Sequence, residues 1–390
     1  LIWTATDKTI VSNFGVNVIA FASARLGLGV AARTTISALV RSNIPTAVVD
    51  VRLPDGRSDA DQTWNHLFIT DVAVPLPHPV NVVHINPGEA SMVLSQFPHW
   101  FDRTFNTIVP FFELPEMPTA WASTLAGFDL ILAPTAHIAS AANAVCSTPI
   151  RSYPMGIDVQ PSQHDRAHFG LPAERFIFAT TFDTDSGLHR KNGLGVIDAF
   201  ELAFPGENSG AMLAIKLNGI RPPLPPMRAA FERLVRAGKA IVLEQYMSYP
   251  DVLSLYQNCD AFVSLHRAEG LGLGLMEAMS FGKPVIGTGW SGNMDFMDDT
   301  NSALVPYVFT PVFDTQPEYA RERFSTQMHW AEPNTSRAVK LMRRVFEDAA
   351  YREQIGEKAK ADILARNARF FGGESFAALQ AAYEAFCFAR

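Results

Sequence analysis

Two glutamates, Glu269 and Glu277, are separated by seven residues in the segment EGLGLGLMEAMSFGKPVIGT, with Gly270, Gly272 and Gly274 between them. Glycines let a backbone come close to a ligand. The preceding DAFVSLH reads as a buried strand and GLMEAMSFG as a helix. The first N–H groups of such a helix lack partners inside it and favour an anion such as a diphosphate. Glu277 sits among Leu275, Met276, Ala278 and Met279, where a carboxylate is costly to bury unpartnered. An ionised carboxylate only accepts hydrogen bonds, and a ribose diol offers two donors. The pattern fits a nucleotide whose ribose meets Glu277, with Glu269 nearer the end of the diphosphate, where a sugar would be. Structural alternatives stay open. Glu277 can pair with a buried Arg or Lys or reach the surface, and Glu269 can be a charge favoured at a helix start.

A second glycine loop lies near the beginning. Gly27, Gly29 and Ala32 match G-x-G-x-x-A, and Asp50 ends a later strand at about the separation of a ribose-binding acid. That fingerprint needs the first glycine at the end of its strand. Here FASARL intervenes, so a phosphate- or sugar-facing loop is preferred to a dinucleotide site, with a purely structural turn as the alternative.

Other chemistry is sparse. Asp183-Thr184-Asp185 and Asp298-Asp299 can ligate a hard cation, but neither is in the expected frame and no metal or other cofactor is expected. Cys146, Cys259 and Cys387 form no CxxC pair. They are expected to be buried apolar residues in a reducing, cytoplasmic compartment. The net charge of −7 argues against nucleic acid as partner. Acidic residues outnumber basic ones in the first 150, so at most peripheral membrane contact is expected, at the inner face. No apolar run is long enough to span a bilayer, and LIWTATDKTIVSN does not read as a secretory signal.

These residues need strands and helices to hold them. With 390 residues, 48% hydrophobic and 18% charged, the chain can build two packed domains. GVNVIAF, TAVVDV, NVVHI, NTIVPFF and DLILAP read as strands of a first parallel sheet. RFIFATTF, MLAIKL, AIVLEQY, DAFVSLH, KPVIGT and SALVPY read as strands of a second, with helices between most of them. Pro and Gly cluster in IRSYPMGIDVQPSQ, where the boundary is placed. Helices close the chain from about residue 333. Two doubly wound domains in tandem bind ligands beyond the carboxyl ends of their strands, and a shared site would lie in the cleft between them.

The Glu269 segment, with Glu, seven residues, Glu, then Ala-Met, Gly and Pro-Val-Ile, resembles the signature of glycosyltransferase family 4, a retaining family with the GT-B fold. Members of the bacterial polysaccharide-assembly kind are similar in GLGVAAR (27–33), ELPEMP (113–118), RKN (190–192) and WAEP (330–333). The resemblance implies two Rossmann-like domains, 1–157 on the acceptor side and 158–372 on the donor side, with a C-terminal helix, 373–390, packing back on the first. It implies that Glu277 binds the nucleotide ribose and Glu269 the donor-sugar hydroxyls. Backbone amides of Gly270, Leu271 and Gly272 meet the distal phosphate and sugar. Lys191 is similar to the family's diphosphate-binding lysine, and His84 to a histidine near the reacting sugar. Gly27 and Gly29 look like the loop facing the donor phosphates or acceptor. The family's usual arginine before the lysine is replaced near Asp185, leaving Arg190 as its substitute, and Leu265-His266 replace Pro-Ser.

Glycosyl transfer expels a nucleoside diphosphate, whose growing charge Lys191, Arg190 and helix amides can stabilise without a metal. The expected activity is retaining transfer of a hexose, with mannose from GDP-mannose as first candidate, to a glycan or lipid-linked glycan. By family analogy attack comes from the leaving-group side, with His84 positioning the sugar. Residues of VLEQYMSYPD (242–251) are placed to contact the base. A nucleotide-sugar epimerase on the same fold and a non-catalytic nucleotide-sugar or glycan-binding module are the alternatives.

Overall fold

The computed structural model describes residues 14–53, 55–206, 210–219, 222–313 and 316–389. The segment read as carrying no secretory signal lies outside them. The chain groups into two compact units. The first takes the described residues to Phe112, Glu116–Asp158 and Arg366 onward; the second takes Glu113–Pro115 and Val159–Ala365. The sequence-based boundaries contain no excursion at Glu113–Pro115, and they begin the returning C-terminal part at 373 where these contacts begin it at Arg366.

In the first unit the order is β1 (Val16–Ala20), α1 (Gly27–Arg41), β2 (Thr46–Asp50), β3 (Val80–His84), α2 (Pro87–Gln96), β4 (Phe105–Ile108), α3 (Ala122–Leu125), β5 (Leu130–Ala133), α4 (Ala136–Asn143) and β6 (Ile150–Ser152). The strands pair in parallel as β2-β1-β3-β4-β5-β6. Strands buried on both faces read as unbroken apolar runs rather than alternating ones, which is why VNVIA and LILA are legible. Three in-register asparagines interrupt that rule. The Asn17 side chain donates to Asn81 Oδ1 at 2.9 Å, and Asn81 donates to Asn106 Oδ1 at 2.8 Å. A slip of one residue would leave these buried amides unpaired, so the ladder fixes the register. β6 falls in the stretch read as linker.

The second unit runs β7 (Phe176–Asp183), α5 (Leu188–Lys191), α6 (Gly193–Ala203), β8 (Ala211–Asn218), α7 (Pro225–Arg236), β9 (Ala240–Leu243), α8 (Tyr249–Asn258), β10 (Ala261–Ser264), α9 (Leu273–Ser280), β11 (Val285–Thr288), β12 (Ala303–Val305), β13 (Tyr307–Pro311), β14 (His329–Pro333) and α10 (Thr335–Glu347). Its six parallel strands are ordered β12-β11-β10-β7-β8-β9. Phe178, Phe200, Leu213, Phe231 and Met342 are among the side chains of its core. SALVPY is not one strand. β12 stops at Val305, and Pro306, which has no N–H for a ladder, precedes an antiparallel hairpin in which WAEP forms β14.

α11 (Ala349–Phe371) and α12 (Glu374–Ala389) close the chain. Within the first unit Arg366 Nε donates to Met155 O at 2.7 Å, and Phe370 packs edge-on to Tyr153. Of the three cysteines only Cys259 is buried; Cys146 is partly exposed, and Cys387, in the last turn of α12, is exposed. No described helix is long and apolar enough to cross a membrane.

Candidate active site

In the second sheet the strand order reverses between β7 and β10, the first and fourth strands of the unit. A doubly wound sheet opens a crevice at that point. The segments leaving β7 and β10 are 184–191 and 265–272, and they carry Arg190, Lys191 and Glu269. They are stitched together. Arg190 donates to Ala268 O and to Ser186 O, both at 2.9 Å, Asn192 donates to Leu265 O at 2.8 Å, and Arg267 N donates to Arg190 O at 2.7 Å. Asn192 ends α5 at φ 53°, a left-handed position that asparagine tolerates.

Glu269 is held at every polar group. Its N–H donates to Ser291 Oγ at 2.8 Å and its carbonyl accepts from Gly292 N at 2.9 Å. Its carboxylate lies 2.5 Å from Lys191 Nζ and 3.4 Å from Arg190 Nη1. Burial to 7% exposure pushes its pKa up, but Lys191, Arg190 and His266 more than reverse this and hold it at about 2. A Cβ on Gly292 would stand 1.8 Å from Gly270 O, so only glycine allows the loops to meet there.

Glu277 lies one turn into α9 and is 5% exposed. It does not reach the surface, and it forms no ion pair among the described residues. Its partner is the Tyr249 hydroxyl, which donates to Oε1 at 2.9 Å. Burial raises its pKa to about 7, with Tyr249 and Lys191 opposing. Gly272 caps the helix at φ 91°. The amides of Leu271 and Gly272 meet no acceptor among the described residues, and those of Leu273 and Gly274 open the helix. One buried wall therefore presents a titratable carboxyl, free N–H groups, an ammonium and an ionised carboxylate.

Arg190 reaches this wall only indirectly. It is 2% exposed, its guanidinium is committed to two carbonyls, and it lies 3.3 Å from Glu113 as well as beside Glu269. Tyr319 donates to the same Glu113 at 3.1 Å. Burial lowers the pKa of Arg190, yet these partners raise it above the ordinary arginine value, so the cation persists. Among the described residues no group of three or more His, Cys, Asp or Glu can hold a metal ion. Asp183 spends Oδ1 on Asp185 N at 2.8 Å.

In the first unit the strand order reverses between β1 and β3, which puts the Gly27 loop and the end of β3 at the corresponding point. Six residues, Phe21–Leu26, separate β1 from α1, too many for a dinucleotide turn. Asp50 is engaged locally, accepting from Ser23 N at 2.9 Å and from Ser23 Oγ at 2.6 Å. Gly27 is exposed at the start of α1. Gly29 is buried, and a Cβ there would lie 2.3 Å from Ala24 O. Arg33 closes the loop by donating to Ala22 O and Ala24 O. His84 is the last residue of β3 and is 0% exposed. Its Nε2 stands 3.2 Å from Thr35 Oγ1, its Nδ1 has no partner among the described residues, and burial lowers its pKa to about 3. As placed, this neutral ring is closed to a ligand. Asn86, half-buried two residues further on, is the N-cap residue of α2.

The structure thus collects Arg190, Lys191, Glu269, Gly270, Leu271, Gly272 and Glu277 in the second unit, and Gly27, Gly29 and His84 in the first. Sequence reasoning missed Tyr249, Ser291 and Gly292 as contacts of the glutamates. The only signal for the last two is the GWSGN turn directly after PVIGT.

A family model described as glycosyl transferases group 1 matches residues 235–306, a stretch that includes both glutamates. No curated protein matches the sequence. Among solved structures, sucrose-phosphate synthase from Thermosynechococcus elongatus is similar with a TM-score of 0.67 at 14% identity, over 97% of this chain and 100% of that one. Anabaena HepE, solved with UDP and glucose, is similar at 0.64 and 14% identity, over 93% and 100%. The chain has the GT-B fold. An E. coli trehalose-6-phosphate protein bound with UDP-2-fluoro glucose shares the GT-B likeness at 0.59 and 10% identity, over 94% and 98%.

Proposed function

We propose that the chain is a retaining, metal-independent glycosyltransferase that moves a hexose from a nucleotide-sugar to a glycan or lipid-linked glycan. The observation that carries this reading is the wall formed by Lys191, Glu269, the amides from Leu271 to Gly274, and Glu277. A carboxyl buried against one phenol suits a ribose diol, which brings the donors it lacks. The free amides and Lys191 suit a diphosphate leaving group, whose charge grows as the C1–O bond breaks. Glu269, already ionised and immobilised, suits the hydroxyls of the transferred sugar. Arg190 contributes from behind Glu269 rather than at the phosphate. Same-side attack, with the departing phosphate oxygen taking the acceptor's proton, needs no carboxylate beneath C1 and accords with retention.

GDP-mannose is the donor first expected, and the UDP and UDP-sugar in the similar structures add UDP donors to the test. Thermal-shift assays with UDP, GDP, ADP and dTDP should show stabilisation by one of them, since a ligand of the native state at a hundred times its Kd adds about 2.7 kcal/mol. Glu277→Ala should abolish that shift. Absence of a shift with all four would reject the reading. Release of the diphosphate only in the presence of a glycan acceptor would separate transfer from epimerisation and from mere binding.

A further inference from the structure

Ser291 combines a costly backbone with a specific hydrogen bond. Five described non-glycine residues have positive φ, and Ser291 stands furthest out at 82°, with ψ at −150°. Only glycine occupies that region freely. A glycine would relieve the turn, and the very next residue, Gly292, is one. The hydroxyl is the one group a glycine at 291 would lack. Ser291 Oγ accepts the Glu269 N–H at 2.8 Å while donating to Trp290 O at 2.5 Å. Gly292 N then takes the Glu269 carbonyl at 2.9 Å. The turn is anchored beneath by Asn293, whose Nδ2 donates to Thr288 O at 3.0 Å and whose Oδ1 lies 3.0 Å from His266 Nε2. Both peptide groups of Glu269 are therefore set by residues 291 and 292, independently of the cations that hold its carboxylate.

We propose that Ser291 is a positioning residue for sugar recognition: its strained backbone aims a hydroxyl that fixes the Glu269 peptide, and through it the direction of the Glu269 carboxylate. The inference rests on the donor-sugar role proposed above for Glu269. It makes the serine dispensable for holding ribose and phosphate, which belong to Glu277, Lys191 and the amides of α9. It also sets stability and selectivity against each other at one position.

The test compares wild type, Ser291→Gly and Ser291→Ala by calorimetric titration with UDP, GDP, ADP and dTDP, and with UDP-glucose, GDP-mannose, ADP-glucose and dTDP-glucose. For the nucleotide that wild type binds, both variants should keep the diphosphate Kd within about twofold and lose about fivefold or more in affinity for the sugar conjugate. Ser291→Gly should also melt about 1 to 4 °C above Ser291→Ala, because it alone relieves the backbone. Variants that retain the wild-type ratio of the two affinities, or that lose both ligands alike, would overturn the proposal while leaving the proposed function standing. Wild type that binds none of the eight compounds would instead overturn the proposed function, and the role of Ser291 with it.

Discussion

Lys191 Nζ donates to Glu269 Oε1 at 2.5 Å, and the two residues lie on the segments that follow strands β7 and β10, which flank the reversal of strand order. The contact stores an ammonium where the distal phosphate is proposed to lie and keeps the carboxylate ionised far below neutral pH. Lys191→Gln removes the charge but not the reach. Its kcat for donor turnover should fall on the order of 10²- to 10³-fold, the usual scale for losing one group that stabilises developing charge. Steady-state release of nucleoside diphosphate measures this, and a change under about threefold would remove Lys191 from the chemistry.

Glu277 links stability to pH in the opposite sense from an ion-paired acid. Its carboxyl titrates at about 7 in the folded unit against 4.5 ordinarily, so folding favours the protonated form. That contribution is fully present below about pH 4.5 and is lost as pH rises through 7. Glu277→Gln cannot titrate and can still accept from Tyr249. It should melt above wild type at pH 8, by up to the order of 3 kcal/mol, and the difference should vanish near pH 4.5. Melting curves across that range decide it; a gap that does not depend on pH would contradict the assignment.

His84 should stay neutral across the working range. Burial takes its pKa to about 3, so its ring resonances in a proton–nitrogen NMR titration should not move between about pH 5 and 8. A midpoint near 6.5, the ordinary histidine value, would show that the ring is open to water in solution.

The sheets are legible in the sequence because parallel strands are written as apolar runs, and the Glu269 segment because its carboxylates interrupt apolar sequence at a strand-to-helix turn. Tyr249 is not legible as the partner of Glu277, since they lie 28 residues apart and meet only when α8 and α9 pack. Ser291 is hidden for a different reason: a serine in a glycine-like backbone position leaves no trace in composition or periodicity. His84 stands at the end of its strand, as read, but its burial is not legible. NVVHI sets the histidine near the strand's end, where a ring can be open or covered, and all five residues of β3, His84 included, are buried. The hairpin of β13 and β14 depends on Pro306, whose missing N–H outweighs the apolar run of SALVPY.

The Arg190 guanidinium joins Ala268 O to Ser186 O, and that junction limits how the site can be moved between proteins. EGLGLG is not a portable peptide. Grafted into another sheet without the Ser186–Asn192 turn and the Ser291–Asn293 turn, it would carry Glu269 with an unsupported backbone and an undirected carboxylate. The smallest transferable unit is three discontinuous loops on adjacent strands, so exchange of specificity between GT-B scaffolds should succeed by whole units and fail by motif.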